Sequence, residues 1–166
     1  AATTTDTTID AATHFQTAGA LDLGATTTLT ITGVGAVDLD AATLDTTTDV
    51  VDASASSGDI DISTGAVSAN TAATGATITD VVDMTVTTGS GADKVTVDTT
   101  SGNEVSISTG AGNDEVVINR AVVAASSTKV ADVLDGGAGT DILNMRTTDI
   151  NGHAAVTTIT NFEELT

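Results

Sequence analysis

The sequence predicts an all-β protein, a parallel β-solenoid with irregular coils and short loop insertions. Three observations predict it. Short segments of alternating aliphatic and Thr, Ser or Asp residues recur along the chain, as a half-buried strand requires. One phrase returns, as Ile62-Ser-Thr-Gly65, Val86-Thr-Thr-Gly89 and Ile107-Ser-Thr-Gly110, with Ile31-Thr-Gly33 as a looser copy. Aromatic residues are nearly absent: two Phe, no Tyr and no Trp in 166 residues. A sandwich of this length needs large side chains to fill a core about 10 Å thick, whereas the narrow interior of stacked coils is filled by Val, Ile, Leu and Ala.

In chain order, the expected strands are Leu29–Thr32, Val37–Asp40, Ile60–Ser63, Met84–Thr87, Val95–Val97, Val105–Ser108, Val116–Ile118 and Ile142–Met145. Each puts aliphatic side chains on one face, and nearly every one is bounded by Gly, Asn or Asp, which end strands in turns. The stretches around Ala66–Ala76 and Arg120–Thr128, rich in Ala, Ser, Thr and Asn, read as loops inserted between coils, with a weak helical signal over Ala121–Ala125. No proline-rich linker divides the chain, so residues 1–166 read as one elongated unit: Thr- and Ala-rich coils over 1–80, and glycine-aspartate turns concentrated over 81–166. Phe15 and Phe162 read as plugs for the end coils, which repeat arrays need.

Charge narrows the function. Four Lys plus Arg stand against 23 Asp plus Glu, a formal charge of -19. Phosphate binding needs clustered basic residues, so no nucleic-acid partner is expected, and an anionic membrane surface is disfavoured. No apolar run approaches the roughly 18 residues of a spanning helix, so a soluble chain without membrane insertion is expected. The start, Ala1-Ala2-Thr3, lacks an initiator Met, which suggests a fragment or processed product, and no cleavable signal peptide is evident. The absence of cysteine removes disulfides, thiolate zinc sites and thiol nucleophiles. Nineteen of the acids are Asp and four are Glu; this bias points to turns, loops or cation ligands, since a helical protein favours Glu.

Three segments align without gaps: Thr88-Gly-Ser-Gly-Ala-Asp-Lys-Val95, Thr109-Gly-Ala-Gly-Asn-Asp-Glu-Val116 and Gly136-Gly-Ala-Gly-Thr-Asp-Ile-Leu143. The third carries the full G-G-x-G-x-D phrase followed by an aliphatic residue two places on. In these residues the chain resembles the RTX family of secreted bacterial calcium-binding β-roll proteins, and more narrowly the RTX-type surface-layer proteins. The resemblance is strong over Gly89–Leu143 and loose elsewhere, where Leu44–Ser54 and Gly58–Ser63 look like metal-poor coils and Ile159–Leu165 looks like a closing coil. One complete copy and two near-complete copies imply a few calcium ions instead of a continuous row.

Calcium is the expected cofactor. It takes six to eight oxygen ligands; glycines let backbone carbonyls turn inward without a Cβ clash, and the aspartate adds a short carboxylate. One turn supplies half a shell, so two stacked turns complete a site. The candidate metal residues are Gly89, Gly91, Asp93, Gly110, Gly112, Asp114, Asp132, Gly136, Gly137, Gly139 and Asp141. Spacings of 21 residues from Asp93 to Asp114, 18 to Asp132 and nine to Asp141 suggest coils of about 18 to 21 residues made of two half-turns. Asp93, Asp114 and Asp132 then share one edge, with Glu104 and Asp141 on the other, unless the Arg120–Thr128 insertion shifts the register. A phosphate-cradling loop is the competing reading of Gly136–Asp141, but no helix or lysine follows.

The remaining candidates read as bland. Asp52, Asp59, Asp61, Asp80 and Asp83 suit a charged outer face or edge protection. His14 and His153 sit in no zinc-like or triad-like context. The pairs Asp38/Asp40 and Asp59/Asp61 lack the aromatic platforms that accompany sugar hydrolysis, and the many Ser and Thr lack a companion base; no enzyme is expected. The reading is a noncatalytic structural protein, secreted to the extracellular space or cell surface of a bacterium, as a subunit of a surface layer or filament. Its partners are other copies of itself, with a cell-surface polysaccharide as a further one. The resemblance also implies type I secretion. The alternative is a calcium-dependent module of a larger secreted enzyme or adhesin.

Overall fold

The computed structural model describes residues 5–16, 26–39, 49–63, 84–97, 105–119, 132–145 and 158–166. Two seven-stranded parallel sheets face each other. Sheet A stacks β1 (Thr5–Ala11), β3 (Thr26–Gly33), β5 (Val50–Ser56), β7 (Met84–Thr87), β9 (Val105–Ser108), β12 (Val133–Asp135) and β15 (Thr158–Thr160). Sheet B stacks β2 (Phe15–Gln16), β4 (Val37–Leu39), β6 (Ile60–Ser63), β8 (Lys94–Val97), β11 (Glu115–Ile118), β14 (Ile142–Met145) and β16 (Glu164–Leu165). The chain alternates between the sheets, so each strand pairs with the strand one coil away. That is the predicted parallel β-solenoid, and the described residues include no helix.

All eight expected strands are present. The alternation that predicts them sets their burial: Met84, Val86, Val105 and Ile107 are buried, while Thr85, Thr87, Ser106 and Ser108 between them face outward and are partly exposed. The register then aligns apolar residues in columns. In sheet A, Leu29, Val51, Val86, Ile107, Leu134 and Ile159 stack in order. In sheet B, Leu39, Ile62, Val95, Val116, Leu143 and Leu165 do the same. Up to the last coil, whose Ile159 and Leu165 are exposed, the two columns make one narrow core without an aromatic centre.

Strand β5 carries one extra residue relative to β3, a bulge between the pairs Thr30–Asp52 and Thr32–Ala55. Asp52 Oδ1 accepts from the Ser54 backbone N–H at 3.1 Å and from its hydroxyl at 2.6 Å, which holds that bend. At the C-terminal end Phe162 packs against the core, consistent with a plug. Leu143, Met145, Ile159, Phe162 and Leu165 line an open cavity of about 280 Å³ there.

Six strands of the two sheets lie outside the expected eight: β1, β5, β12 and β15, where Thr- and Asp-rich neighbours mask the alternation, and β2 and β16, which are two residues long. The weak helical signal over Ala121–Ala125, the expected insertions around Ala66–Ala76 and Arg120–Thr128, and Asp40, Asp80, Asp83, Glu104 and His153 lie outside the described residues. Asp59 is exposed, and Asp52 and Asp61 are partly exposed, as an outer face requires.

Candidate metal centre

The three glycine-aspartate turns stack along one edge of the solenoid, each leaving sheet A and entering sheet B. Backbone rungs join them: Ala111 N–H donates to Gly89 O at 2.9 Å, and Ala138 N–H to Gly110 O at 2.8 Å. A short third sheet, β10 (Ala111–Gly112) with β13 (Ala138–Gly139), continues the stacking through the turn. Glycine is required at Gly110 and Gly137, where φ is 84° and 82°. At each, a Cβ would overlap the carbonyl of the turn one coil earlier, Gly89 O and Gly110 O respectively.

Inside the turns, hydroxyls tie successive coils. Thr88 Oγ1 donates to Thr109 O at 2.7 Å, and Thr109 Oγ1 to Gly136 O at 2.9 Å. Gly136 thus occupies the buried position that Thr88 and Thr109 fill in the earlier coils, with its carbonyl engaged and its N–H bonded to Thr160 O. The cluster of glycines is therefore divided. Gly136 serves the hydroxyl column, whereas Gly89, Gly91, Gly110, Gly112, Gly137 and Gly139 shape the turn.

Below the hydroxyls runs a column of carboxylates. Asp93, Asp114 and Asp141 are 2%, 1% and 0% exposed. Each places Oδ1 on a backbone N–H of the preceding coil: Ile60 N–H donates to Asp93, Asp93 N–H to Asp114, and Asp114 N–H to Asp141, all at 2.8 Å. The Asp141 N–H is capped in turn by Glu163 Oε2 at 2.8 Å. Oδ2 of Asp93, Asp114 and Asp141 is buried without a hydrogen-bond partner. A buried acceptor left unpaired is costly, and three in one column call for a proton or a cation to offset that cost.

The electrostatics agree. Burial holds all three carboxyls above the ordinary Asp range, Asp114 up to about 6. Neighbouring carboxylates push the same way: Asp59 on Asp93, Asp93 and Asp141 on Asp114, and Glu163 and Asp135 on Asp141. The Thr88 hydroxyl and backbone N–H groups at Asp93, a backbone N–H and the Thr109 hydroxyl at Asp114, and a backbone N–H at Asp141 oppose the shift without cancelling it.

One edge assignment is corrected. Asp132 does not join Asp93 and Asp114; its Oδ1 accepts from Val105 N–H at 2.9 Å, at the entry to sheet A on the opposite edge. Asp141 takes its place in the column. The separation is 21 residues from Asp93 to Asp114 but 27 from Asp114 to Asp141, so the second step is six residues longer. Three contributors fall outside the predicted site residues. Glu163 caps the column 22 residues after Asp141, a coil's spacing hidden by the missing glycines; the hydroxyls of Thr88 and Thr109 were visible as the recurring Thr before each Gly.

The donor set fits a hard cation. Among the described residues no three His, Cys, Asp or Glu side chains converge on one point, so an ion between coils would take at most a pair of carboxylates, from Asp93, Asp114 or Asp141. Backbone carbonyl oxygens of the glycine turns would supply the remainder, which suits calcium better than zinc. Comparison with protein-family models, curated proteins and solved structures gave no match.

Proposed function

We propose that this chain is a noncatalytic, calcium-stabilised structural protein of the bacterial exterior, a solenoid subunit of a surface layer or extracellular filament. The observation that carries the reading is the column of Asp93, Asp114 and Asp141, each with one buried oxygen lacking a partner. Bound calcium would supply the countercharge those oxygens lack. The chain's own part is to hold them in register: the Oδ1 bonds fix each carboxylate, and the positive-φ glycines bring the turns into contact. Folding is then coupled to the metal. A chain poor in structure where calcium is scarce becomes rigid outside the cell, where calcium is plentiful. The open ends of a solenoid further suit a repeating, non-closing contact between copies.

The test is calcium titration by calorimetry with circular dichroism. Asp114→Ala is expected to weaken calcium affinity clearly more than Asp6→Ala, and chelation to reduce the β-sheet signal. Equal effects of the two substitutions, or a spectrum indifferent to chelation, would remove calcium from the reading. Electron microscopy with calcium tests assembly: lattices or filaments are expected, and persistent monomers at high concentration would refute that part.

A further inference from the structure

Among the described residues, β15 and β16 are the last strands of sheets A and B at one end of the solenoid. Their inner edges are paired: Thr158 N–H donates to Asp132 O at 3.2 Å, Gly136 N–H to Thr160 O at 3.1 Å, Glu164 N–H to Asp141 O at 3.1 Å and Thr166 N–H to Leu143 O at 3.1 Å. Alternate residues of a strand in a parallel ladder bond to opposite neighbours, so the N–H and C=O of Ile159 and of Leu165 point out of the open end. The same two residues carry apolar side chains. Ile159 is 40% exposed and Leu165 58%, whereas Leu134 and Leu143, one coil earlier in the same columns, are 0% and 1% exposed. Between them opens the cavity of about 280 Å³, with Phe162 in its wall. Repeat arrays need a polar terminal coil to stay soluble alone; this end lacks one, since Glu164, the one charged residue of the two strands, lies in the outer column of sheet B.

The opposite end is the matching half. Ala11 O accepts from Gly35 N–H at 2.8 Å, so Ile9 and Ala11 turn their backbone groups toward β3, and those of Thr8 and Asp10 face away from the solenoid. Inside the chain the same pattern joins consecutive coils: Leu134, in the core column, faces forward to meet Thr158 and Thr160, which face back. β1 thus offers the edge that Ile159 lacks. Ile9 is only partly buried against the core.

We propose that the Ile159–Leu165 end receives the β1–β2 end of a second copy, so that copies stack head to tail and both sheets continue across the junction. This contact presupposes the assembly proposed above and names the surfaces that meet. A single extended peptide adding to β15 or to β16 leaves the other edge and the cavity open. A coil end covers both edges together and brings an aliphatic side chain, Ile9, to the apolar end. Because the two ends differ, the contact is heterologous, and stacking along the axis gives a filament. With a charge of -19 on each copy, repulsion opposes stacking, and salt and calcium relieve it.

The experiment is sedimentation velocity of the full chain in calcium over a concentration series, with circular dichroism confirming the fold of every variant. Wild type is expected to form linear oligomers. Ile159→Lys and Leu165→Lys, both at exposed positions, are expected to raise the concentration of half-association about tenfold or more. Val34→Lys, at an apolar residue 72% exposed in the turn after β3, is expected to leave it unchanged. Orientation is read by cysteine cross-linking, which a sequence without cysteine makes specific. A short bismaleimide should join Thr160→Cys chains to Thr8→Cys chains, and should not join Thr160→Cys chains to Thr85→Cys chains, whose cysteine lies in the middle of sheet A. If a Lys variant loses its fold, the cross-linking decides. Oligomers that keep wild-type affinity in both Lys variants, or that cross-link at residue 85 as well as at residue 8, would overturn the end-to-end contact and leave the proposed assembly standing. Monomers at every concentration would overturn both.

Discussion

Asp114 shows how one side chain can hold two roles that respond differently to substitution. Its Oδ1 satisfies the Asp93 N–H, and its Oδ2 is buried without a partner. Asp114→Ala removes both and strands the N–H, which is expected to cost about 1–3 kcal/mol and to show as a lower urea midpoint. Asp114→Asn keeps an acceptor for the N–H and removes the buried charge, so it should be neutral or stabilising without calcium while still weakening calcium binding. The pH dependence follows from the same burial. The folded carboxyl titrates at about 6 against an ordinary 3.8, so between those values the folded state binds more protons than the unfolded state. Stability from this group is full below the unfolded value and is lost as pH rises through about 6. Metal-free protein is therefore expected to gain thermal stability from pH 7 to pH 5, and Asp114→Asn to flatten that gain. A fall in stability over the same interval, or an undiminished gain in the Asn variant, would contradict this account of the site.

At the scale of the element, the glycine turn and its terminating coil are complementary. Gly137 has φ 82° and lies against Gly110 O, so Gly137→Ala combines a strained backbone with a steric overlap, a loss of about 1–3 kcal/mol or more. The neighbouring Ala138 is exposed, and Ala138→Ser should leave the melting temperature nearly unchanged. Glu163 ends the column differently. Its own N–H turns back to Asp141 O at 3.0 Å instead of awaiting another carboxylate, so Glu163→Ala is expected to loosen the Asp141 turn, seen as faster hydrogen exchange at the Asp141 amide. These cases also mark what the sequence could reveal. Asp93, Asp114 and Asp141 were legible because three glycine phrases align without gaps, and the strands were legible where aliphatic alternation was clean, as in Met84–Thr87. The edge of Asp132 was not. Its 18-residue distance from Asp114 resembles a full coil, yet strand pairing sets it at the entry to sheet A on the opposite edge, and only that pairing distinguishes the two. Glu163 was hidden for the opposite reason, since its coil drops the glycines by which the turn is recognised.

For the whole molecule the question is whether the acidic excess acts as a diffuse field or through particular sites. Of the four Lys and Arg residues, Lys94 alone lies among the described residues, and the ladder sets it between Asp61 and Glu115 on sheet B, away from the carboxylate column. A diffuse field is relieved by any salt, because exposed charges are screened over a Debye length of about 8–10 Å near physiological ionic strength. Buried oxygens such as Asp93 Oδ2 and Asp141 Oδ2 are screened far less, and in the proposed reading the ion that meets them sheds water and accepts carbonyl ligands. Calcium does so with flexible geometry, whereas magnesium demands a near-ideal octahedron and gives up its water reluctantly. At equal ionic strength and pH 7, calcium chloride is thus expected to raise the melting temperature clearly more than magnesium chloride, and magnesium chloride no more than modestly above sodium chloride. The calcium increment should shrink at pH 5, where protons already occupy the carboxyls, and in Asp114→Asn. If sodium chloride matched calcium chloride, the acidic excess would act through general screening alone and the column would be a structural ladder.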